Sequence, residues 1–362
     1  MENQSNKPPK AIVVHSPFSG RSAQLSQALD LLDQAGVQII DVISIADLDH
    51  QPLQGTLWQE RGATVAVAAG GDGLIGGVIT HIAESDLPLG ILPLGTSNDI
   101  ARSLDIPITL PEAAQVIATG KQQKIDVGVA QPAEQAPHAA QDDHLTARSH
   151  GYFAHALTVG LNVQFAKVAT NVATRQRYGR LAYSVAALDV WVHREPLDVA
   201  LTFTGLVGPD GEAIHDAEQP PALDCRALEV AVINAPIFGG QWQMSLPQAS
   251  INDHLLDIVV IENISLERMN TAIAQLFRPW QPRAEAEVEP SRHPAELSGI
   301  PGLHHFQATG VLIGTGDDPQ DVTLDGEIRG QTPVLIALAS KGLCVILPSN
   351  NTLSGIGELP CA

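Results

Sequence analysis

Three times before residue 105 the chain passes from a short apolar run into a turn of glycine and small polar residues. The runs are Ala11-Ile12-Val13-Val14 before Ser16-Pro17-Phe18-Ser19-Gly20, Ala63 to Ala69 before Gly70-Gly71-Asp72-Gly73, and Leu89 to Pro93 before Leu94 to Asp99. Almost wholly apolar, they read as strands buried on both faces. A helical pattern follows each turn, and strands alternating with helices build a parallel sheet with right-handed crossovers. Ligands of such sheets sit beyond the carboxyl ends of the strands, where all three turns fall.

The helical patterns are Ala23 to Ala35, with Leu25, Leu29 and Leu32 on one face, then Leu74 to Ala83, then a segment through Ile100, Ala101 and Leu104. Val37 to Ile45 supplies a further strand, and Lys124 to Val129 reads as a strand leaving this region, which puts a boundary near Val127. Beyond it, Tyr152 to Leu161, Asp198 to Leu206, Ala227 to Ile233, Leu255 to Ile261 and Gly310 to Thr315 are strand-like, and one helical stretch spans Gly179 to His193. The expected architecture is an α/β N-terminal domain over 1–127 with a Rossmann-like parallel sheet, and a mainly antiparallel β-sandwich domain over 128–334. Polar, Pro-bearing stretches near 131–150 and 281–300 read as surface insertions in the second domain. The last strands, Pro333 to Ala339 and Gly342 to Leu347, belong to a C-terminal segment, about 335–362, expected to pack back on the first domain.

With 362 residues, 44% of them hydrophobic, the chain can bury two cores. A net charge of −20 repels the phosphate backbone of nucleic acids, which removes them as partners. The same charge demands local relief before the chain can touch an anionic bilayer, and Lys167, Arg175, Arg177 and Arg180 form its basic cluster. No apolar stretch approaches the ~18 residues of a membrane span, and Met1 to Lys10 is polar, so a cytoplasmic protein with peripheral membrane contact is expected. Cys225, Cys344 and Cys361 are too scattered for a disulfide framework or a metal knuckle and fit a reducing compartment. His304-His305, beside Phe306, matches no metal-ligand spacing.

Small residues and backbone N–H groups at helix starts favour anions. Ser16, Ser19, Gly20, Gly70, Gly71, Asp72, Gly73, Gly95, Thr96, Asn98 and Asp99 are therefore candidate phosphate contacts, with plain turn and cap chemistry as the alternative. Gly70 to Gly73, followed by Leu92-Pro93-Leu94-Gly95-Thr96-Ser97-Asn98-Asp99-Ile100-Ala101-Arg102-Ser103-Leu104, resembles the GGDGT and PLGTxNDFARxL motifs of the diacylglycerol kinase catalytic domain family, which includes the bacterial lipid kinases and sphingosine kinases. Ser16 to Gly20 is similar to its NPxSG loop, Ile125-Asp126-Val127-Gly128 to its exit strand, and Gly179-Arg180-Leu181-Ala182-Tyr183 to its G-x-[LI]-A-Y element. Asn234, Gly239-Gly240, Pro247-Gln248-Ala249 and Asp253 to Asp257 resemble its N…GG…P-x-A…DGxLD stretch, and Asp325-Gly326-Glu327 its late DGE motif.

The resemblance implies an NAD-kinase/diacylglycerol-kinase type of fold and ATP-dependent phosphorylation of a lipid hydroxyl in a cleft between two domains. It makes Glu327 the base with Asp325 beside it, turns Asp72 toward the nucleotide and Mg²⁺, and gives a structural Mg²⁺ site to Asp253 with the carbonyls of Ser250 and Leu255. Nucleotide and lipid are the implied partners, and pairing of two copies through exposed sheet edges is compatible with the fold. The chain departs from the family's GGDGTxNE at Leu74, Gly76 and Gly77, losing a hydroxyl, an amide and a carboxylate. It also carries Ser16, His155 and His254 where the family has Asn, Asn and Gly. A lipid- or nucleotide-binding sensor or carrier is therefore the alternative function, and an NAD-kinase-like activity, which shares the GGDG loop, is a third.

Overall fold

The computed structural model describes residues 8–17, 22–48, 51, 53–133, 151–170, 195–208, 214, 220–238, 244–246, 249–263, 265, 267, 278–279, 302–316, 318–350 and 361. Its opening strands are β1 (Lys10–His15), β2 (Gln38–Ser44), β3 (Val65–Gly70), β4 (Leu89–Pro93) and β5 (Lys121–Ile125). Among them lie helices α1 (Leu25–Gln34), α2 (Gly55–Glu60), α3 (Asp72–Ile82), α4 (Asp99–Ser103) and α5 (Leu110–Thr119). There follow β6 (Gly128–Pro132), β7 (Gly151–Phe153), β8 (Ala156–Gly160), helix α6 (Leu161–Thr170), β9 (Leu197–Val207), β10 (Ala222–Ile233), β11 (Ile237–Phe238) and β12 (Met244–Ser245). The rest are β13 (Leu256–Glu262), β14 (Arg278–Pro279), β15 (Leu303–Thr315), β16 (Asp321–Leu324), β17 (Glu327–Gln331), β18 (Val334–Leu338) and β19 (Leu343–Leu347).

The first sheet runs β2-β1-β3-β4-β19-β5, parallel throughout except where β19 meets β5. Every residue of β3 is buried, as a central strand covered on both faces requires. Helix α1 packs against α5, and α3 lies along β3 while also touching β7. The second sheet is antiparallel, in the order β17-β16-β8-β10-β13-β15-β18-β6-β7, with β9 pairing both β10 and β15. A small third sheet joins β11, β12 and β14. An α/β unit with a mostly parallel sheet and an antiparallel β-sandwich unit are thus both present, and they share a core: Tyr152, Ala154, Ala235 and Ile251 pack with the residues of β1, β3 and α3.

Two long strands expected from apolar content are each divided. Between β5 and β6 the chain changes sheets at Asp126 and Val127, where the Asp126 N–H donates to the Ile251 carbonyl at 2.7 Å. Between β7 and β8, Ala154 and His155 leave the ladder because their N–H groups point at Asp325. A ladder residue that donates elsewhere interrupts its strand whatever its side chain. The cysteine reading is corrected: Cys344 of β19 and Cys361 form a disulfide, with Cα atoms 5.9 Å apart, leaving Cys225 as a free, half-buried thiol. Sequence spacing gave no hint of it, because the pairing depends on Cys361 returning to β19. The helical stretch Gly179 to His193 and most of the two surface insertions lie outside the described residues.

Candidate active site

Because β1, β3 and β4 are neighbours, the turns after them share one edge of the first sheet. The two glycine turns touch backbone to backbone: a Cβ on Gly95 would lie 2.4 Å from the Gly71 Cα, so no other residue fits there. Asn98, buried in a left-handed conformation with φ 53°, locks the second turn. Its Oδ1 accepts the Gly95 N–H at 2.9 Å and its Nδ2 donates to the Gly95 carbonyl at 3.0 Å. The Asp72 carboxylate accepts the Ile100 N–H at 2.9 Å, tying the start of α3 to the start of α4, whose first residue is the buried Asp99. Thr96 is exposed at the tip, Ser16 is half-buried at the end of β1, and Ser19 and Gly20 lie outside the described residues.

From the other sheet comes the turn Asp325-Gly326, joining β16 to β17 with φ of 48° and 85°. A two-residue hairpin needs both positive values, which Asp-Gly supplies at low cost. The Asp325 side chain is buried and accepts three backbone N–H groups: Oδ1 those of His155 (2.9 Å) and Ala156 (3.1 Å), Oδ2 that of Ala154 (3.1 Å). Burial pushes its carboxyl up to about 6, against the pull of His155 and the three donors. This turn sits on α3. A Cβ on Gly73 would come within 2.9 Å of Glu327 Oε1, and one on Gly76 within 2.6 Å of Asp325 Oδ2. Glu327, with its side chain 51% exposed, therefore reaches the helix start at which the first-sheet turns gather.

Further ties hold the two units together. Asn234 Nδ2 donates to the carbonyls of Asp126 (2.9 Å) and Ala154 (2.8 Å), and the Ile237 N–H donates to Ser103 Oγ at 3.1 Å. The Tyr152 hydroxyl pairs with Glu84, and burial together with that carboxylate raises its proton affinity. His155 Nε2 meets the Ile237 carbonyl at 2.9 Å.

The turn Ser250 to Leu255 lies beyond these contacts. Asp253 Oδ1 accepts the Leu255 N–H at 3.1 Å, and Ser250 Oγ bonds Asn252 at 2.9 Å. Burial, then the neighbouring Asp257 and Asp126, push Asp253 up to about 7. His254, at φ 61°, gives its N–H and Nδ1 to the two Asp126 oxygens, while Asp257 Oδ2 is buried with no hydrogen-bond partner among the described residues. Carboxylate and carbonyl oxygens are the donors that Mg²⁺ takes, so Asp253 with main-chain carbonyls of this turn would be the groups to hold such an ion. No cluster of three or more His, Cys, Asp or Glu side chains among the described residues could hold a metal alone. His304 and His305 are engaged structurally, with Glu262 at 3.0 Å and Asp257 at 2.6 Å. Of the basic cluster, Lys167 pairs with Asp321 at 2.6 Å, and its three arginines lie outside the described residues.

Sequence reasoning passed over Arg329, which pairs with Glu327 at 2.5 Å. The available signal was strand periodicity, since residues two apart on one strand share a face.

Residues 10–130 match the model of the diacylglycerol kinase catalytic domain, and residues 156–280 that of the YegS C-terminal NAD kinase beta sandwich-like domain. The chain thus carries a region matching the diacylglycerol kinase catalytic domain, followed by one matching the YegS C-terminal domain. It is 25% identical over 302 residues to a diacylglycerol kinase of Mycobacterium tuberculosis, covering 82% of this chain and 87% of the relative. To a diacylglycerol kinase of Staphylococcus aureus it is 22% identical over 346 residues, covering 94% and 93%. Two crystal structures from Bacillus anthracis str. Sterne share the fold. One has a TM-score of 0.65 at 19% identity, covering 96% of this chain and 98% of its own. The other, of a diacylglycerol kinase, has a TM-score of 0.59 at 18% identity, covering 94% and 97%. No helix among the described residues is long and apolar enough to cross a membrane.

Proposed function

We propose that the protein is an ATP-dependent lipid kinase that phosphorylates a hydroxyl of diacylglycerol or a related long-chain lipid alcohol. The observation that carries this reading is the seating of the Asp325-Gly326-Glu327 turn on the first turn of α3. A phosphate at that helix start would meet the first backbone N–H groups of α3 and the positive end of the helix dipole. Glu327, within reach of the same point, would take the proton of the acceptor hydroxyl as its oxygen attacks the γ-phosphorus of ATP and the bond to the β–γ bridging oxygen breaks, releasing ADP. Asp325 fixes the turn through its three backbone donors and sets where Glu327 stands. Mg²⁺, when bound with the nucleotide, neutralises charge on the phosphates. Transfer of radiolabelled phosphate from ATP to extracted lipids tests the reading. Glu327→Gln is expected to abolish transfer and to leave ATP affinity within twofold, and equal activity in this variant removes Glu327 from the mechanism.

One observation favours the second reading, a nucleotide- or lipid-binding relative without turnover. Leu74 is buried against Gly70, where a Cβ would lie 2.3 Å from its Cδ2, so this side chain offers a phosphate nothing. A hydrogen bond to a charged group contributes about 1.5–3 kcal/mol, so Leu74→Thr is expected to tighten ATP by roughly tenfold if the turn cradles phosphate. Calorimetry with Mg²⁺ checks both points: no heat with millimolar ATP ends the kinase reading, and an unchanged constant in the variant takes the turn out of the phosphate site.

A further inference from the structure

We infer that Arg329 is a positioning residue that holds Glu327 over the first turn of α3, in space that a long side chain at Gly77 would contest. The inference rests on the kinase reading of the same site. Two side chains of β17 reach α3: Glu327 Oε1 lies 2.9 Å from the Gly73 Cβ position, and Arg329 Nη2 3.8 Å from that of Gly77. Two residues along a strand advance ~6.7 Å and four along a helix ~6 Å, so alternate side chains of β17 meet successive turns of one helix face.

The Glu327 carboxylate is divided between two neighbours. Its Oε1 faces Gly73, while its Oε2 accepts a hydrogen bond from Arg329 Nη2 at 2.5 Å. The guanidinium is itself bracketed by two glycines: Nη2 lies 3.8 Å from where a Gly77 Cβ would be, and Nη1 3.9 Å from that of Gly151. Ile45 closes the same space, 3.2 Å from the Gly77 Cβ position. A glutamate at 77 would project from that point between Ile45 and the guanidinium and would compete with Glu327 for it. The family's carboxylate at this position and Arg329 are therefore alternatives, and a departure that looks like decay in the sequence is a seat for a new ion pair. A half-exposed glutamate samples several rotamers, whereas one oxygen held by a planar guanidinium leaves the other aimed at the helix start.

The test compares Arg329→Gln, Arg329→Lys, Gly77→Glu and Glu327→Gln in steady-state lipid phosphorylation and in thermal unfolding. Arg329→Gln is expected to lower kcat ten- to a hundredfold with KM for ATP within twofold, and Arg329→Lys to recover part of the loss. Gly77→Glu is expected to behave like Arg329→Gln. Wild-type kcat in Arg329→Gln, or in Gly77→Glu, overturns the inference. A wild-type protein that phosphorylates no lipid ends the kinase reading instead. The placement is then decided by unfolding midpoints, where additive shifts for Glu327→Gln and Arg329→Gln overturn it and non-additive shifts uphold it.

Discussion

Two acidic turns in the second unit answer the same problem differently. At Asp325-Gly326 the buried carboxylate is surrounded by three backbone N–H groups, so the fold itself supplies the compensating dipoles. At Asp253-His254 the carboxylate accepts the Leu255 N–H and otherwise faces Asp257 and Asp126, and it is pushed up to about 7 by burial and those neighbours. Backbone donors come with the fold and cannot be removed without unfolding it. A cation can bind and leave. On the proposed reading the first turn is a rigid mount for Glu327, and the second a place where an ion would adjust stability.

The largest effect expected from this contrast is at the mount. Asp325→Ala would leave the N–H groups of Ala154, His155 and Ala156 without their acceptor, and at about 1 kcal/mol each the loss is ~3 kcal/mol. The loss depends on pH. An acid held up at about 6 when folded, against 3.8 when free, contributes its stability fully below pH 3.8 and loses it as pH rises toward 6, because only the unfolded chain ionises in that window. The gap between wild type and Asp325→Ala should therefore be widest near pH 4 and narrower at pH 7. Denaturant unfolding at the two values checks this, and a constant gap would mean that the carboxyl is not held up by burial.

Most of the first sheet was legible because its strands are apolar runs ended by glycine turns, and periodicity sees such runs whatever they pack against. The position of Asp325 and Glu327 was legible only through the motif they resemble, since an Asp-Gly turn by itself says nothing of which helix lies beneath it. What sequence could not show was the fit between distant segments. Gly76 and Gly77 read as missing polar groups, yet Asp325 fills the space at Gly76, and Ile45 with Arg329 lines that at Gly77. The breaks at Asp126 and at Ala154-His155 were hidden for the same reason, because backbone donors there answer to partners in other elements. The Cys344–Cys361 bond likewise joins positions that only the folded chain brings together.

A smaller effect tests the second turn as a cation site. Magnesium at ten times its dissociation constant stabilises a folded protein by about 1.4 kcal/mol, which moves the unfolding midpoint by a few degrees. That shift is expected in wild type and absent in Asp253→Ala, while Asp325→Ala keeps it. A magnesium shift that survives Asp253→Ala would assign the ion elsewhere and leave the two turns alike.

The smallest effect should come from making the second turn resemble the first. His254 stands at φ 61°, a left-handed conformation that costs a side-chain-bearing residue roughly 1–2 kcal/mol, and glycine would release that strain. The same change removes the imidazole from Asp126, giving up a hydrogen bond worth about 0.5–1.5 kcal/mol, although the main-chain N–H to Asp126 remains. The two terms oppose each other, so His254→Gly is expected to move stability by less than about 1 kcal/mol. Its informative readout is the magnesium response. With one Asp126 oxygen freed beside Asp253, the ion should bind more tightly, and the midpoint should rise at lower magnesium than in wild type. An unchanged response would show that the imidazole occupies no ground the cation uses, and that His254 only closes the turn.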